Sequence, residues 1–301
     1  MDLYGKLRHF YYYNIAYLSH IIRPSKRRIG IRILNSSETI KRINEGYSVA
    51  RFGDGELSLM LSGESIGFQK NSKELAERLQ EVLRRPAKKM LLCLPGGLAN
   101  TEGFTYAAKR FWIWYQYMNS EKLNALLDGG VVYGDALFTR FYIDRRDKEL
   151  TGRRVDEVRS IWERKKIILI EGENSRLGAT NDLFDNADCV KRIIVPSKNA
   201  FNVYGKIYKS ALACKKEADI FLLSIGPTAT VLANDLCSAG VQAIDIGHLD
   251  HEYEWYRMGA KKMVPIKNKS VNNITDVAID DMTDNQAKKY NDSIIERIIR
   301  D

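Results

Sequence analysis

From about Tyr47 onward, short apolar runs alternate with amphipathic stretches, and this alternation restricts the chain more than any other feature. Runs of this kind suit parallel strands buried on both faces, and the stretches between them suit the helices that cover those faces. The strand candidates are Ser48–Phe52, Met90–Leu94, Val131–Tyr133, Ile167–Glu171, Arg192–Val195, Ile220–Ile225 and Gln242–Ile246. Residues 72–84 place Leu75, Leu79, Val82 and Leu83 on one helical stripe, and Val158, Ile161 and Trp162 form another. Residues 228–238 open a helix directly behind a strand, with Thr228 as cap and Gly240 as stop. The expected fold is α/β, a Rossmann-like, mostly parallel sheet with helices on both faces.

Three parts are expected along the 301 residues: an arm over 1–30, the sheet domain over 31–260, and a C-terminal segment over 261–301. The last part is expected to dock through a helix that starts at the capping-box pair Thr283 and Gln286 and continues through Ile294, Ile295, Ile298 and Ile299.

Composition narrows the setting. Cys93, Cys189, Cys214 and Cys237 are scattered without metal-ligand spacing, which argues against a zinc site or a disulfide framework and for a reducing cytoplasm. No apolar run approaches the ~20 residues of a membrane span, and no signal peptide is visible. The net charge is +9, of which the first 30 residues supply +5 through Lys6, Arg8, Arg23, Lys26, Arg27 and Arg28 against Asp2. Between those cations lie Phe10, Tyr11, Tyr12, Tyr13, Ile15, Tyr17 and Leu18. Rings and cations in this order suit peripheral contact with an anionic membrane through residues 1–28, at the inner face of the cell membrane; a terminal helix packed on protein suits them equally. The remaining excess carries no nucleic-acid-binding pattern, so nucleic acid is not an expected partner.

In doubly wound sheets the ligand lies beyond the carboxyl ends of the strands, so the residues just after each run are the site candidates. Arg51-Phe52-Gly53-Asp54-Gly55-Glu56 follows the first run. Two carboxylates one residue apart, Asp54 and Glu56, can hold Mn2+ or Mg2+ against the phosphates of a nucleotide diphosphate, with Gly53 in the turn and Arg51 adding charge. The same pattern also makes an ordinary solvated turn. Gly226-Pro227-Thr228-Ala229-Thr230 opens a helix after another run, so backbone N–H groups and the hydroxyls of Thr228 and Thr230 can meet a phosphate or ribose; a plain strand-to-helix connection reads the same way. Ser175 and Arg176 lie in a third strand-end loop, where they can grip the donor or merely face solvent. Six ionisable residues crowd Asp245–Glu254, and His248, Asp250 or Glu252 is the candidate base for an acceptor hydroxyl, with Tyr253 and Trp255 as stacking partners for a sugar or base. Asp135 is a further candidate by position alone.

Six blocks carry a resemblance: SVARFGDGEL, YGDALFTRFY, IEGENSRLGATNDLF, PSKNAF, LLSIGPTATVLANDL and QAIDIGHLDHEYEW. In order and spacing, from Ser48 to Trp255, the chain resembles bacterial glycosyltransferases of the GT-D fold. The resemblance implies that Asp54 and Glu56 form a D-x-E motif for metal and UDP-sugar, and that a hexose, glucose above all, passes to a growing surface polysaccharide or protein-linked glycan; the basic, aromatic arm, outside the matched blocks, points instead to a lipid-linked acceptor. One departure is Ala179-Thr180, where the family pattern has a glycine; a side chain there is expected to narrow the donor or acceptor pocket. Two rival readings use the same residues: a metal-dependent phosphohydrolase or nucleotidyltransferase, and a non-catalytic assembly subunit at the membrane.

Overall fold

The computed structural model describes residues 13–20, 22, 29–267, 269 and 282–299. Its strands are β1 (Arg32–Ile33), β2 (Ser48–Arg51), β3 (Met90–Leu94), β4 (Val132–Asp135), β5 (Lys166–Gly172), β6 (Cys189–Val195), β7 (Ile220–Ser224), β8 (Ala243–Asp245) and β9 (Ile294–Arg297). They form one sheet in the order β1-β4-β3-β2-β8-β7-β5-β6-β9, and each neighbouring pair runs parallel.

A parallel sheet must be covered on both faces. Strand alternation sorts the side chains into two cores: Ile168 and Ile170 of β5, with Phe221 and Leu223 of β7, enter one, while Ile167, Leu169, Ile220 and Leu222 enter the other. The first core is closed by α4 (Lys73–Arg84), α5 (Tyr106–Leu126), α7 (Tyr204–Ala213) and α8 (Pro227–Ser238). The second is closed by α2 (Ser36–Asn44), α6 (Thr151–Arg159) and α9 (Leu249–Arg257).

The arm's helical residues 13–20 (α1) lie on α5. The Tyr13 ring sits 6.2 Å from that of Trp114, Tyr17 meets Tyr106 edge-on, and the Arg110 guanidinium covers both Tyr13 and Tyr17. Two of the tyrosines expected at a membrane or a protein surface therefore face protein, while Leu18 and Ile22 remain exposed. The basic residues of the arm lie outside the described residues. No helix among the described residues is long and apolar enough to cross a membrane.

The C-terminal expectation is corrected in part. Thr283 does cap a helix, α10 (Asp284–Asp292), through the reciprocal Gln286 box, but that helix stops at Ser293 and the isoleucines continue as β9. The spacing of Ile294, Ile295, Ile298 and Ile299 fits one helical stripe, yet β-branched residues also suit a strand, and β6 offers an open edge to pair with. Arg192 N–H donates to Ser293 C=O and Ile298 N–H to Ile194 C=O, each at 2.8 Å. The two-residue β1 has no apolar run of its own and goes unseen in the sequence.

One buried ion pair ties this edge to the interior. Arg192 reaches Glu171 of β5 at 2.6 Å, donates to Ser293 Oγ at 2.9 Å, and lies over the Tyr290 ring. Burial holds the Glu171 carboxyl above its ordinary range even with Arg192 beside it. Arg192→Leu strands that carboxylate, and breaking a buried pair costs about 3 kcal/mol or more. Urea unfolding of Arg192→Leu is expected to show that loss, and adding Glu171→Gln is expected to return at least half of it; full stability in the single variant contradicts the pairing.

Candidate active site

β2 delivers the chain to Arg51 and Phe52, and Gly53 then caps α3 (Asp54–Leu61), with its N–H donated to Glu56 Oε2 at 2.8 Å. Both acids thus occupy the first turn of a helix, where negative charge is favoured. Residues two apart do not share a helix face. Asp54 and Glu56 approach each other only at the open end of α3: Asp54 is exposed, and Glu56 folds back toward Gly53. Burial first, then the nearby Asp245, push the Glu56 carboxyl up to about 7.

Beneath them Arg51 spans three strand ends. Its Nη1 donates to Thr139 Oγ1 at 2.7 Å and to Ala136 C=O at 3.0 Å, beyond β4. Its Nε stands 3.2 Å from Asp245 Oδ1 at the end of β8, within ion-pair range but without hydrogen-bond alignment. Gly247, at φ 47°, lies against the same guanidinium, and a Cβ there collides with it. Much of the donor capacity expected to meet phosphate is therefore engaged in holding the strand ends. Asp135 is likewise structural, accepting from Gly96 and Leu137 N–H and from Ser36 Oγ.

The α8 N-terminus opens beside this turn, because Thr230 Oγ1 donates to Arg51 C=O at 2.8 Å. Gly226 caps the helix at φ 60° and Pro227 follows at the first helical position. Thr228 is fully buried, and its hydroxyl has no partner among the described residues. Phe68 packs against Gly226 so closely that a Cβ there clashes with the ring. The Phe68 loop is pinned to the 197–199 loop by Asn199 N–H to Phe68 C=O at 2.8 Å and Lys70 N–H to Asn199 Oδ1 at 2.7 Å.

The Asp245–Glu254 cluster folds mostly inward. Asp250 is saturated by Lys269 Nζ at 2.5 Å, Gly178 N–H at 2.9 Å and Asn181 Nδ2 at 2.8 Å. Burial raises it, but Lys269 leads the groups that outweigh burial and hold it below the ordinary range, so it makes a poor base. Glu252 Oε2 accepts the Tyr142 and Ile143 N–H groups at 3.0 Å each, its Oε1 lies 3.9 Å from Arg140 Nε and accepts no hydrogen bond among the described residues, and burial raises its carboxyl. His248 stands at the mouth of α9; burial, then the charges of His251, Arg140 and Arg51, lower its pKa to about 3, so its imidazole is neutral. Tyr253 donates to Asp182 and Trp255 to Val264 C=O, and both rings are buried rather than offered to a ligand.

Ser175 and Arg176 follow β5, three strands from β2, and the structure does not bring them to the Asp54 turn. Arg176, in left-handed backbone at φ 46°, lines a cleft with α10 and β9 instead. At the Ala179-Thr180 departure, Thr180 Oγ1 donates to Glu254 Oε1 at 3.1 Å, so its side chain serves the buried network. Sequence reasoning missed Arg140, which acts electrostatically on His248 and feels Asp54 and Glu252, and Phe68 and Lys269. Position just after β4 pointed toward Arg140; nothing in the sequence marks Lys269.

Among the described residues, no group of three or more His, Cys, Asp or Glu side chains could by itself hold a metal ion. Asp54 and Glu56 fit the other arrangement, in which one or two carboxylates hold Mg2+ or Mn2+ and phosphate oxygens and water complete the shell. The donor set, oxygen only and hard, agrees with that cation class.

Comparison with known proteins places this geometry in a class. Residues 49–274 match the family described as Glycosyltransferase GT-D fold, and the chain belongs to it. It is 35% identical over 277 residues, 89% of its length, to Glycosyltransferase GlyD of Streptococcus pneumoniae serotype 4, and 35% identical over 253 residues to the probable glycosyl transferase Gly of Streptococcus gordonii. The chain spans about a third of the length of these relatives, 33% and 36%. A solved domain of unknown function, described as having a distinct glycosyltransferase fold, superposes with a TM-score of 0.83 at 37% identity, covering 90% of this chain and 96% of that one. A new glycosyltransferase from Streptococcus sanguinis superposes at 0.82 with 33% identity, covering 89% and 99%.

Glu56 offers a pH test of its surroundings. Its folded pKa, about 7, lies above its ordinary 4.5, so the folded state is penalised progressively as pH rises from 4.5 through 7. Glu56→Gln removes the penalty while keeping an oxygen for Gly53 N–H. In EDTA, the variant's unfolding free energy relative to the parent is expected to rise by about 2 kcal/mol from pH 4.5 to pH 8, discounted for the partial exposure of Glu56. A difference that stays flat with pH removes the buried-carboxyl assignment.

Proposed function

We propose that the chain transfers a hexose, glucose in the first instance, from a UDP-sugar to a hydroxyl of a bacterial surface glycan, with Mn2+ or Mg2+ held by Asp54 and Glu56. The observation that carries this reading is the juxtaposition of two carboxylates, one exposed and one half-buried, with the α8 N-terminus where β2 and β8 end side by side. Bound there, the cation supplies Lewis-acid stabilisation of the charge that develops on the departing diphosphate. The chain's own part is to orient. The Gly226 and Thr228 N–H groups and the buried Thr228 hydroxyl meet anionic oxygens, and Arg51 keeps Asp245 and the α3 turn in place. Of the three candidate bases, Glu252 alone has a raised pKa, and its Oε1 accepts no hydrogen bond among the described residues; it suits accepting a proton from a sugar hydroxyl better than Asp250 or His248, whose pKa values are held low.

Asp54 has no hydrogen bond or ion pair with another described residue, so Asp54→Ala is expected to leave stability within about 0.5 kcal/mol. Metal-dependent transfer from UDP-glucose is expected to fall about 100-fold or more, as when a group stabilising transition-state charge is removed. Assays of a UDP-sugar panel with Mn2+ and with EDTA check this. Full transfer by Asp54→Ala removes the carboxylate pair from the mechanism, and nucleotide turnover without any sugar acceptor favours the phosphohydrolase reading.

The acceptor in this proposal is a lipid-linked or protein-linked glycan reached at the cytoplasmic face of the membrane. Leu18 and Ile22, exposed on the arm, and the basic residues of 1–28 support membrane contact. Replacing Arg23, Lys26, Arg27 and Arg28 with Ser is expected to abolish co-sedimentation with anionic vesicles; undiminished sedimentation assigns the arm to protein packing alone.

A further inference from the structure

At the far end of the sheet from β2, a cleft of about 250 Å3 opens between the loop after β5, helix α10 and the end of β9. Its polar lining is Glu173, Arg176, Tyr290, Asn291 and Arg297. Glu173 and Arg176 follow β5, and Arg297 closes β9, so the walls stand on the carboxyl ends of the strands, the same rim that carries Asp54 and Glu56. β5 is three strands from β2 and β9 is five; at ~4.8 Å per strand the cleft lies roughly 15–25 Å along that rim.

Two features mark it as built for a ligand. Tyr290 is only 7% exposed, and its hydroxyl has no partner among the described residues, an arrangement proteins avoid unless something else supplies the hydrogen bond. Arg176 and Arg297 line the cleft beside that hydroxyl, which feels the buried Glu171 first, then Arg192, Arg297 and Arg176. The ring is held from the other side by Arg192, 4.8 Å from its centroid, and Asn291 Oδ1 accepts from Arg297 Nη2 at 3.3 Å. Guanidinium forks match phosphate oxygens, and a phenol kept protonated by burial adds a third donor. Glu173 leaves the lining with one net positive charge and provides an acceptor for a neighbouring sugar hydroxyl. The volume lies below the ~300–1,000 Å3 of sites that enclose drug-sized ligands, so the cleft suits a phosphate with an adjoining sugar rather than a nucleotide.

We propose that this cleft is a phosphate subsite for the acceptor: Arg176, Arg297 and the Tyr290 hydroxyl grip a phosphate carried by the glycan while its growing end reaches the Asp54 turn. The acceptor assignment rests on the transfer reading above; the phosphate binding does not. Sodium pyrophosphate, titrated calorimetrically into the full chain in EDTA with and without UDP, is the probe. Binding is expected in the parent, undiminished by UDP, and at least 10-fold weaker in Arg297→Ala. Tyr290→Phe, which keeps the ring and its packing, is expected to weaken it several-fold with an unchanged Tm. Hydrolysis of UDP-sugar to UDP is expected to be unaltered in Arg297→Ala. No binding by the parent, equal binding by Arg297→Ala and Tyr290→Phe, or full displacement by UDP overturns the subsite. Phosphatidylcholine vesicles doped with farnesyl diphosphate separate the sources. Arg297-dependent capture assigns the phosphate to a lipid carrier, and solution binding without capture assigns it to the glycan itself. Pyrophosphate binding that survives in a chain without transferase activity refutes the transfer reading and leaves the subsite standing.

Discussion

The contact on which the rest of the site depends is the Arg51 guanidinium lodged among the ends of β2, β4 and β8. It neutralises Asp245, whose carboxyl burial would otherwise drive further above its ordinary range, and it ties Thr139 and Ala136 to the same point. Among the described residues, Arg51 acts on Glu56 and Asp245, and Arg140 acts on Asp54. In the proposed reaction, a cation arriving with a diphosphate meets three acids set against two fixed cations. Gly247 is part of the same device, since any larger residue displaces the guanidinium and with it the register of three strand ends.

The polar cluster after β8 shows how charge density in a sequence can mislead. Lys269 is wholly buried between Asp250 and Glu254, and Asn181 and Thr180 add hydrogen bonds to the same carboxylates. Such a network is costly to break and weakly stabilising when intact. Its effect is positional, clamping the 178–182 loop and the stretch after α9 onto one helix.

What the sequence disclosed follows from what each interaction needs. Strands buried on both faces announce themselves in a few consecutive apolar residues, which is why seven of the nine described strands could be placed, six to within one or two positions and β6 with its start three residues late. β9 escaped because its isoleucines fall on one helical stripe while their β-branching also suits a strand, and only an available neighbour decides between them. Asp54 and Glu56 stood out through the glycines beside them, whereas the helical turn that separates their directions did not. Arg51's partners lie 85 and 88 residues away, and Lys269 meets Asp250 through a loop without pattern, so neither role could be read from local spacing.

The last strand has a bearing on biogenesis. β6 and β9 pair across 101 residues of chain, from Arg192 to Ser293. During synthesis at about 5–20 residues per second, β6 therefore waits many seconds with an unsatisfied backbone edge and with Arg192 and Glu171 imperfectly sealed from water. A nascent chain in that condition is open to spurious strand addition from its neighbours, and the interval closes only when the β9 isoleucines emerge.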